Sequence, residues 1–273
     1  MWNVASAAGS SMTDCVQPLG GKEAAPVERV LTGIVDKCFG GGKGIAKTAV
    51  ILLAGDPGAG KTTLCLQLSD IFAGIFSDKL VLYIANEQHY SELNDTAVRL
   101  QLKHMLQIHV VKAMGGVQHD IGEMLLHYKP CLTILDSVTK WSGEDMNEAV
   151  TICQRFKDYT VRLNAPTIVI NQVTKSGDHA GLNKMKHAVD CTAMFEILGD
   201  RPDDPRRLHT EKNRNGPAPI SQYFEMLEHG VFEIEEDDAM SRLEAPAKPK
   251  PRVEAFENDS EDDSEDDEED EEE

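Results

Sequence analysis

The sequence predicts an α/β fold: a mostly parallel central sheet with helices on both faces and an antiparallel C-terminal extension. Two patterns carry this. Five short apolar runs (Val50–Ala54, Leu80–Ala85, Ile108–Val111, Leu132–Leu135 and Thr167–Ile170) alternate with helical patterns near 62–74, 91–103, 117–128 and 145–164, the signature of a sheet built from crossover units. After about residue 190 the character changes, and Thr192–Leu198, Arg206–Lys212, Gln222–Leu227 and Val231–Ile234 read as short strands joined by Gly, Pro and Asp turns. Residues 1–27 read as a flexible arm, 28–236 as the folded domain, and 237–273 as a disordered Pro-containing linker and acidic tail.

The first apolar run leads directly into Gly55-Asp56-Pro57-Gly58-Ala59-Gly60-Lys61-Thr62-Thr63 and then into a helical pattern. Strand, glycine-rich turn and helix in that order form a phosphate-binding loop. Its backbone N–H groups converge on phosphate oxygens at a helix N-terminus. Lys61 is placed for the β- and γ-phosphates and the Thr62 hydroxyl for Mg²⁺. The ligand is therefore read as ATP with Mg²⁺.

Hydrolysis needs a carboxylate near the metal and a group that polarises water. In open parallel sheets such groups sit at strand C-termini. Leu132–Leu135 ends in Asp136, the expected metal-supporting carboxylate, or else a helix N-cap at Asp136 or Ser137. The run ending Ala85-Asn86-Glu87 offers Glu87 as general base, or an ordinary exposed Glu. The run ending Ile170-Asn171-Gln172 offers Gln172 as a sensor of the γ-phosphate, or a polar residue closing a strand. Lys212 and Arg214 stand two apart on an extended segment and so point the same way. They sit on a basic patch with Arg201, Arg206, Arg207 and His209. They read as arginine-finger-type groups for a neighbouring subunit's site, or as charges protecting an edge strand.

Bulk composition narrows the class. Formal net charge is −20, but Glu254–Glu273 holds 15 Asp or Glu and no Lys or Arg, leaving −5 on the rest. Nucleic acid is therefore not excluded as a partner. Six Cys at 15, 38, 65, 131, 153 and 191 form no CxxC pair, so no zinc ribbon is encoded, and several sit in apolar runs as reduced core thiols do. There is no signal-like N-terminus and no run of membrane-spanning length. The reading is a soluble cytoplasmic or nucleoid-associated protein with no membrane partner.

These motifs in this order resemble the RecA-type ATPase superfamily, and within it the core of the bacterial RadA/Sms DNA-repair family. The resemblance runs from Leu31-Thr32-Gly33-Ile34-Val35-Asp36 and Phe39-Gly40-Gly41-Gly42 through the phosphate loop and Val81-Leu82-Tyr83. It continues through Val173-Thr174-Lys175-Ser176-Gly177, Ala180-Gly181, His187-Ala188-Val189-Asp190 and Lys212-Asn213-Arg214 with Gly216. Phe224-Glu225-Met226 and Gly230-Val231 close it. It implies a RecA-like P-loop NTPase in which Lys61 and Thr62 bind nucleotide and Mg²⁺, Glu87 is catalytic, Asp136 is the strand-end aspartate and Gln172 fills the switch position. Lys212 and Arg214 match a Lys-Asn-Arg-Phe-Gly motif that acts across a subunit interface, with Asn215 in place of the Phe. The family's four-cysteine zinc ribbon has no counterpart here, and a charged tail stands where its Lon-like domain would follow.

The resemblance also implies a homo-oligomer, a ring or filament, and single-stranded or branched DNA as partner, in recombination, repair or replication. The corresponding DNA-contacting segments are Lys140-Trp141-Ser142-Gly143 and the basic, glycine-containing Lys175–Lys186, read as mobile loops. Trp141 would stack on a base, or else pack under the sheet. The acidic tail, with Ser260 and Ser264, reads as a solubilising or protein-partner segment, or as a mimic of DNA on the protein's own basic groove. Two functions remain open: a DNA-dependent ATPase and possible translocase, or a nucleotide-switched oligomeric regulatory protein without motor activity. A small-molecule kinase is weaker, because no acceptor pocket or lid motif is evident.

Overall fold

The computed structural model describes residues 26–112, 121–172 and 179–245, without the side chains of 179–182. The N-terminal arm before residue 26, Val173–Lys175 with Ser176 and Gly177, and the tail from Pro246 onward lie outside the described residues.

The sheet grows from one fully buried strand, β3 (Val50–Gly55). β1 (Arg29–Val30) and β2 (Ile45–Ala46) form a small separate ladder bracketing α1 (Asp36–Gly40). β3 lies parallel between β7 (Thr167–Gln172) and β8 (Cys191–Ile197). Beyond β7 come β6 (Leu132–Asp136), β4 (Val81–Ala85) and β5 (Ile108–Lys112), all parallel. On the other side β9 (Arg206–Asn213), β10 (Ile220–Leu227) and β11 (Gly230–Ile234) continue the sheet antiparallel, giving the order β11-β10-β9-β8-β3-β7-β6-β4-β5. Parallel strands covered on both faces need apolar residues at every position, which is why β3, β4 and β6 are nearly continuous apolar runs and wholly buried.

Alternate residues of β3 feed two cores. Ile51 and Leu53 pack with α2 (Lys61–Ile75) through Leu64, Leu68 and Phe72, and with Phe39 of α1 and Leu93 of α3 (Tyr90–Arg99). Val50, Leu52 and Ala54 face the opposite layer. There Leu125 of α4 (Ile121–Tyr128), Val138 of α5 (Val138–Trp141), Ile152 and Phe156 of α6 (Met146–Leu163) and Met185 of α7 (His179–Ala188) fill the space. α6 starts where Asp145 caps the N–H groups of Asn147 and Glu148 and stops at Asn164 in the left-handed region. The five described cysteines are buried and free, and burial pushes the Cys153 thiol up to about 12, so they act as core apolar groups.

Three segments depart from the sequence reading. Residues 237–244, read as the start of a disordered tail, belong to a helix, α8 (Glu236–Glu244). Its acidic first turn suits the helix dipole, Ala239 is buried, and Arg201 donates to the carbonyls of Arg242 and Ala245 at its C-terminal end. The segment read as a mobile basic loop is helical from His179, as α7. Lys140 and Trp141 end the short helix α5, and the Trp141 ring packs half-buried against the second core, so packing rather than an open stacking face describes it.

Two glycines of the phosphate loop are hemmed in by strands on the other side of β3: Gly55 by β8, which the sequence placed in the antiparallel extension but which runs parallel to β3, and Gly60 by antiparallel β10. At Gly55 (φ +150°) an added Cβ would lie 2.0 Å from the Phe195 carbonyl oxygen of β8, and at Gly60 (φ +100°) 2.2 Å from Met226 of β10. Gly58 (φ +80°) meets nothing within 4 Å. We therefore expect Gly55→Ala to cost about 3 kcal/mol or more, because a backbone carbonyl cannot yield. Gly58→Ala should cost about 1–2 kcal/mol, from its φ alone. Urea midpoints of the two variants check the contrast; equal losses would mean that the β8 carbonyl is not the constraint.

Candidate functional site: a phosphate loop facing three strand ends

Strand register gathers the site. Gly55 pairs with Gln172, Asp136 with Ile170, and Ala85 with Asp136. Three polar strand ends, Asn86-Glu87, Asp136 and Gln172, therefore stand beside the phosphate loop on one edge of the sheet.

The loop closes on itself. Lys61 is 94% buried, and its ammonium donates to the carbonyls of Gly55 (2.7 Å) and Asp56 (2.8 Å). Burial pulls Lys61 below the ordinary lysine range, while the charges of Asp136, Glu87 and Asp56 oppose that. α2 begins at Lys61 with no side-chain cap, so its first N–H groups are left for a ligand.

Asp136 is the most buried acid of the site, at 4% exposure. Its Oδ2 accepts from the Tyr83 hydroxyl (2.7 Å) and the Thr62 hydroxyl (3.1 Å). Burial raises its carboxyl above the ordinary 3.8, and the Glu87 charge adds to this. The two hydroxyl bonds and Lys61 oppose it. Burial, with Asp136 beside it, also holds the Tyr83 hydroxyl well above its usual range, so Tyr83 remains a donor. Thr62 and Asp136 supply hard oxygen donors within hydrogen-bond distance of each other, a set that fits Mg²⁺.

Glu87 accepts from two neighbours: the Ser137 hydroxyl on Oε1 and the Gln172 amide on Oε2 (2.5 Å). Asn86 holds the strand ends together. Its side chain accepts from the Ser137 N–H (2.6 Å) and donates to the Ser137 carbonyl (2.9 Å), while its own N–H bonds to the Asp136 carbonyl. Sequence reasoning missed Asn86, Ser137 and Tyr83 as site residues. A lone Tyr inside an otherwise aliphatic buried strand was the available signal for Tyr83, because a buried phenol needs an acceptor. Ser137 is the residue before α5 but makes no side-chain cap there; its hydroxyl goes to Glu87.

Lys212 and Arg214 are not part of this cluster. Asp190, just before β8, bonds to Val50 at the start of β3, five residues from Gly55 and so about 16 Å away along the strand. Arg214 lies past the end of β9, 3.5 Å from Asp190, with its side chain 58% exposed. Lys212 and Arg214 do stand on the same side, both beside Asp190 and close enough for the Arg214 charge to act on Lys212. The register shift of the β8–β9 ladder falls before them, at Glu211, and leaves their alternation intact. Lys212 is turned onto the carbonyls of Lys186 and Val189 (2.7 Å to the latter) at the end of α7. The basic patch is likewise spent within the fold. Arg201 pairs with Asp204, Arg207 with Glu196, and Arg206 is 97% buried on the carbonyls of Pro202 and Asp204. His209 bonds to Ser221. Among the described residues, no group of three or more His, Cys, Asp or Glu is arranged to hold a metal, and no helix is long and apolar enough to cross a membrane.

Fold and site together define a P-loop NTPase whose phosphate loop faces carboxylates at the neighbouring parallel strand ends. Comparison with known proteins agrees. Residues 30–106 match the family described as "ATPase: KaiC". DNA repair protein RadA of Aquifex aeolicus is 31% identical over 238 residues, covering 82% of this chain and 50% of that protein. RadA of Bacillus subtilis is 31% identical over 228 residues, 80% and 47% respectively. The chain spans about half the length of the curated relatives it matches. A KaiC-like protein from Pyrococcus horikoshii superimposes with a TM-score of 0.64 over 77% of this chain and all of that one, at 16% identity, which shows the shared fold. The chain has a RecA-like, KaiC-like fold, resembles the KaiC ATPase family over residues 30–106, and is similar in sequence to RadA over about four fifths of its length.

The raised Asp136 carboxyl has a sign. The native state holds this proton to higher pH than the unfolded chain, so between pH 3.8 and the native value stability falls as pH rises, and the loss persists above it. Asp136→Asn removes that loss. We expect the nucleotide-free variant to gain stability over the parent as pH is raised from 4, then level off. Urea midpoints across pH check this; a variant that loses ground with rising pH would contradict it.

Proposed function

We propose that the chain binds and hydrolyses ATP as an oligomeric, RadA-like ATPase acting on single-stranded or branched DNA in repair, recombination or replication. The observation that carries the catalytic half is the convergence of Glu87, Asp136 and Gln172 on Lys61 and Thr62. In this reading Glu87 takes a proton from water as the water oxygen bonds to the γ-phosphorus and the bond to the β-phosphate oxygen breaks. Lys61 leaves the carbonyls of Gly55 and Asp56 for the phosphates. Thr62 and Asp136 hold Mg²⁺, which supplies charge neutralisation at the phosphates. Gln172 shares its amide between Glu87 and the γ-phosphate and passes the nucleotide state toward α7. Arg214 acts on the site of a second copy. The names of the RadA relatives support DNA as the partner.

A second reading has its own observation. Arg201, Arg206 and Arg207 are occupied within the fold and Trp141 is packed, which leaves fewer groups for a nucleic-acid backbone than the sequence promised. That favours an assembly protein switched by nucleotide, with no motor activity.

ATP turnover with and without single-stranded DNA separates the two. Stimulation by DNA supports the first reading; a DNA-independent rate with ATP-dependent assembly supports the second. Lys61→Ala should abolish nucleotide binding and turnover in both. Glu87→Gln should keep ATP binding and lower turnover by about 10²–10⁴-fold, the usual worth of a general base. A Glu87→Gln protein with parental turnover would remove Glu87 from the chemistry.

A further inference from the structure

The segment His187-Ala188-Val189-Asp190 plays no part in the nucleotide site, yet it ends in an acid that is 95% buried. The Asp190 carboxylate accepts from the Val50 N–H (2.9 Å), from the Lys157 ammonium of α6, and lies 3.5 Å from the Arg214 guanidinium. Its backbone is pinned as firmly: its N–H donates to the Val50 carbonyl, and its carbonyl accepts from the Arg214 N–H, each 2.9 Å. Lys157 also reaches the Thr48 carbonyl (3.0 Å). One buried carboxylate thus ties α6, the start of β3, the start of β8 and the chain just past β9.

Charge is unbalanced there. Lys157, Lys212 and Arg214 surround the single charge of Asp190, and the other acid nearby, Glu211, is paired with Lys186. Burial first, and then the charge of Arg214, lower the Lys212 ammonium below its ordinary value. Of the three cations, Lys157 is turned to Asp190 and Thr48, and Lys212 to the last carbonyls of α7. Arg214 alone is mostly exposed. An exposed arginine loses considerable side-chain entropy when it docks on an anion. Anchoring it beforehand on a rigid buried carboxylate lowers that loss.

We infer that Asp190 is a positioning residue: it holds Arg214 on the outer face, oriented for the triphosphate of a second copy. This rests on the reading of Arg214 as a group acting between copies. It adds the residue that aims it.

Subunit mixing tests it. Lys61→Ala subunits lack a working phosphate loop but keep Asp190 and Arg214. Asp190→Asn subunits keep the loop. Alone, Asp190→Asn should lose at least tenfold in kcat while binding a fluorescent ATP analogue with parental affinity. Mixed with Lys61→Ala subunits, its loops should regain turnover. Asp190→Glu, which keeps the charge and shifts the anchor by one methylene, should fold with a parental thermal midpoint and show a milder kcat loss with the same rescue. Rescue of Arg214→Ala by Lys61→Ala without rescue of either Asp190 variant would overturn this inference alone. Failure of Arg214→Ala to be rescued would instead overturn the reading of Arg214 between copies.

Discussion

Everything at the nucleotide end depends on the register of β3 between its parallel neighbours. β3 is buried on both faces, and its side chains alternate between two separate cores. A slip of one residue would exchange those cores and move every strand end with it. The register therefore does two tasks at once. It fills both apolar layers, and it brings Gly55, Gln172, Asp136 and the Asn86-Glu87 turn to a common edge. The strands on the other side of β3, parallel β8 and antiparallel β10, contribute to the same end. Phe195 and Met226 abut Gly55 and Gly60, so the loop that must stay open for phosphates is braced from behind by strands with no part in the chemistry.

The site is built against the fold's own electrostatic interest. Asp136 is buried beside Glu87, and Lys61 is buried with its ammonium bonded only to loop carbonyls. Each would be better solvated outside. Tyr83 and Thr62 offset part of the cost to Asp136, and Asn86 stitches two strand ends that have run out of ladder. On the proposed function, a ligand that brings phosphates to Lys61 and a cation to Asp136 would offset that cost. The same carboxylate would then serve ligand binding while its burial limits stability.

The sequence was most readable where structure is local. β3, β4, β6 and β7 are apolar runs with a single buried role, and the phosphate loop is a contiguous motif, so both were visible in the residues. Glu87, Asp136 and Gln172 were found because strand ends can be counted. What escaped depends on distant partners. α8 looked like the start of an acidic tail, since nothing nearby reveals that Arg201 caps its last carbonyls. Arg206 looked like surface charge, but the 201–205 turn folds its carbonyls around it. That Lys212 and Arg214 meet about Asp190 was likewise hidden, since Asp190 comes from the other end of the β8–β9 hairpin.

The sheet also separates two charged regions that one chain cannot bring together. The nucleotide edge is at the C-terminal ends of the parallel strands; the Asp190 cluster is at their N-terminal ends, about 16 Å away along β3. Rigid, doubly covered strands do not shorten, and no side chain spans that distance. Two helices that follow the site's strand ends reach the other region: α6, which comes after β6 and α5, through Lys157 on Asp190, and α7, which comes after β7, through the Lys186 carbonyl that Lys212 holds. The two regions are therefore joined by packed helices as well as by the strands.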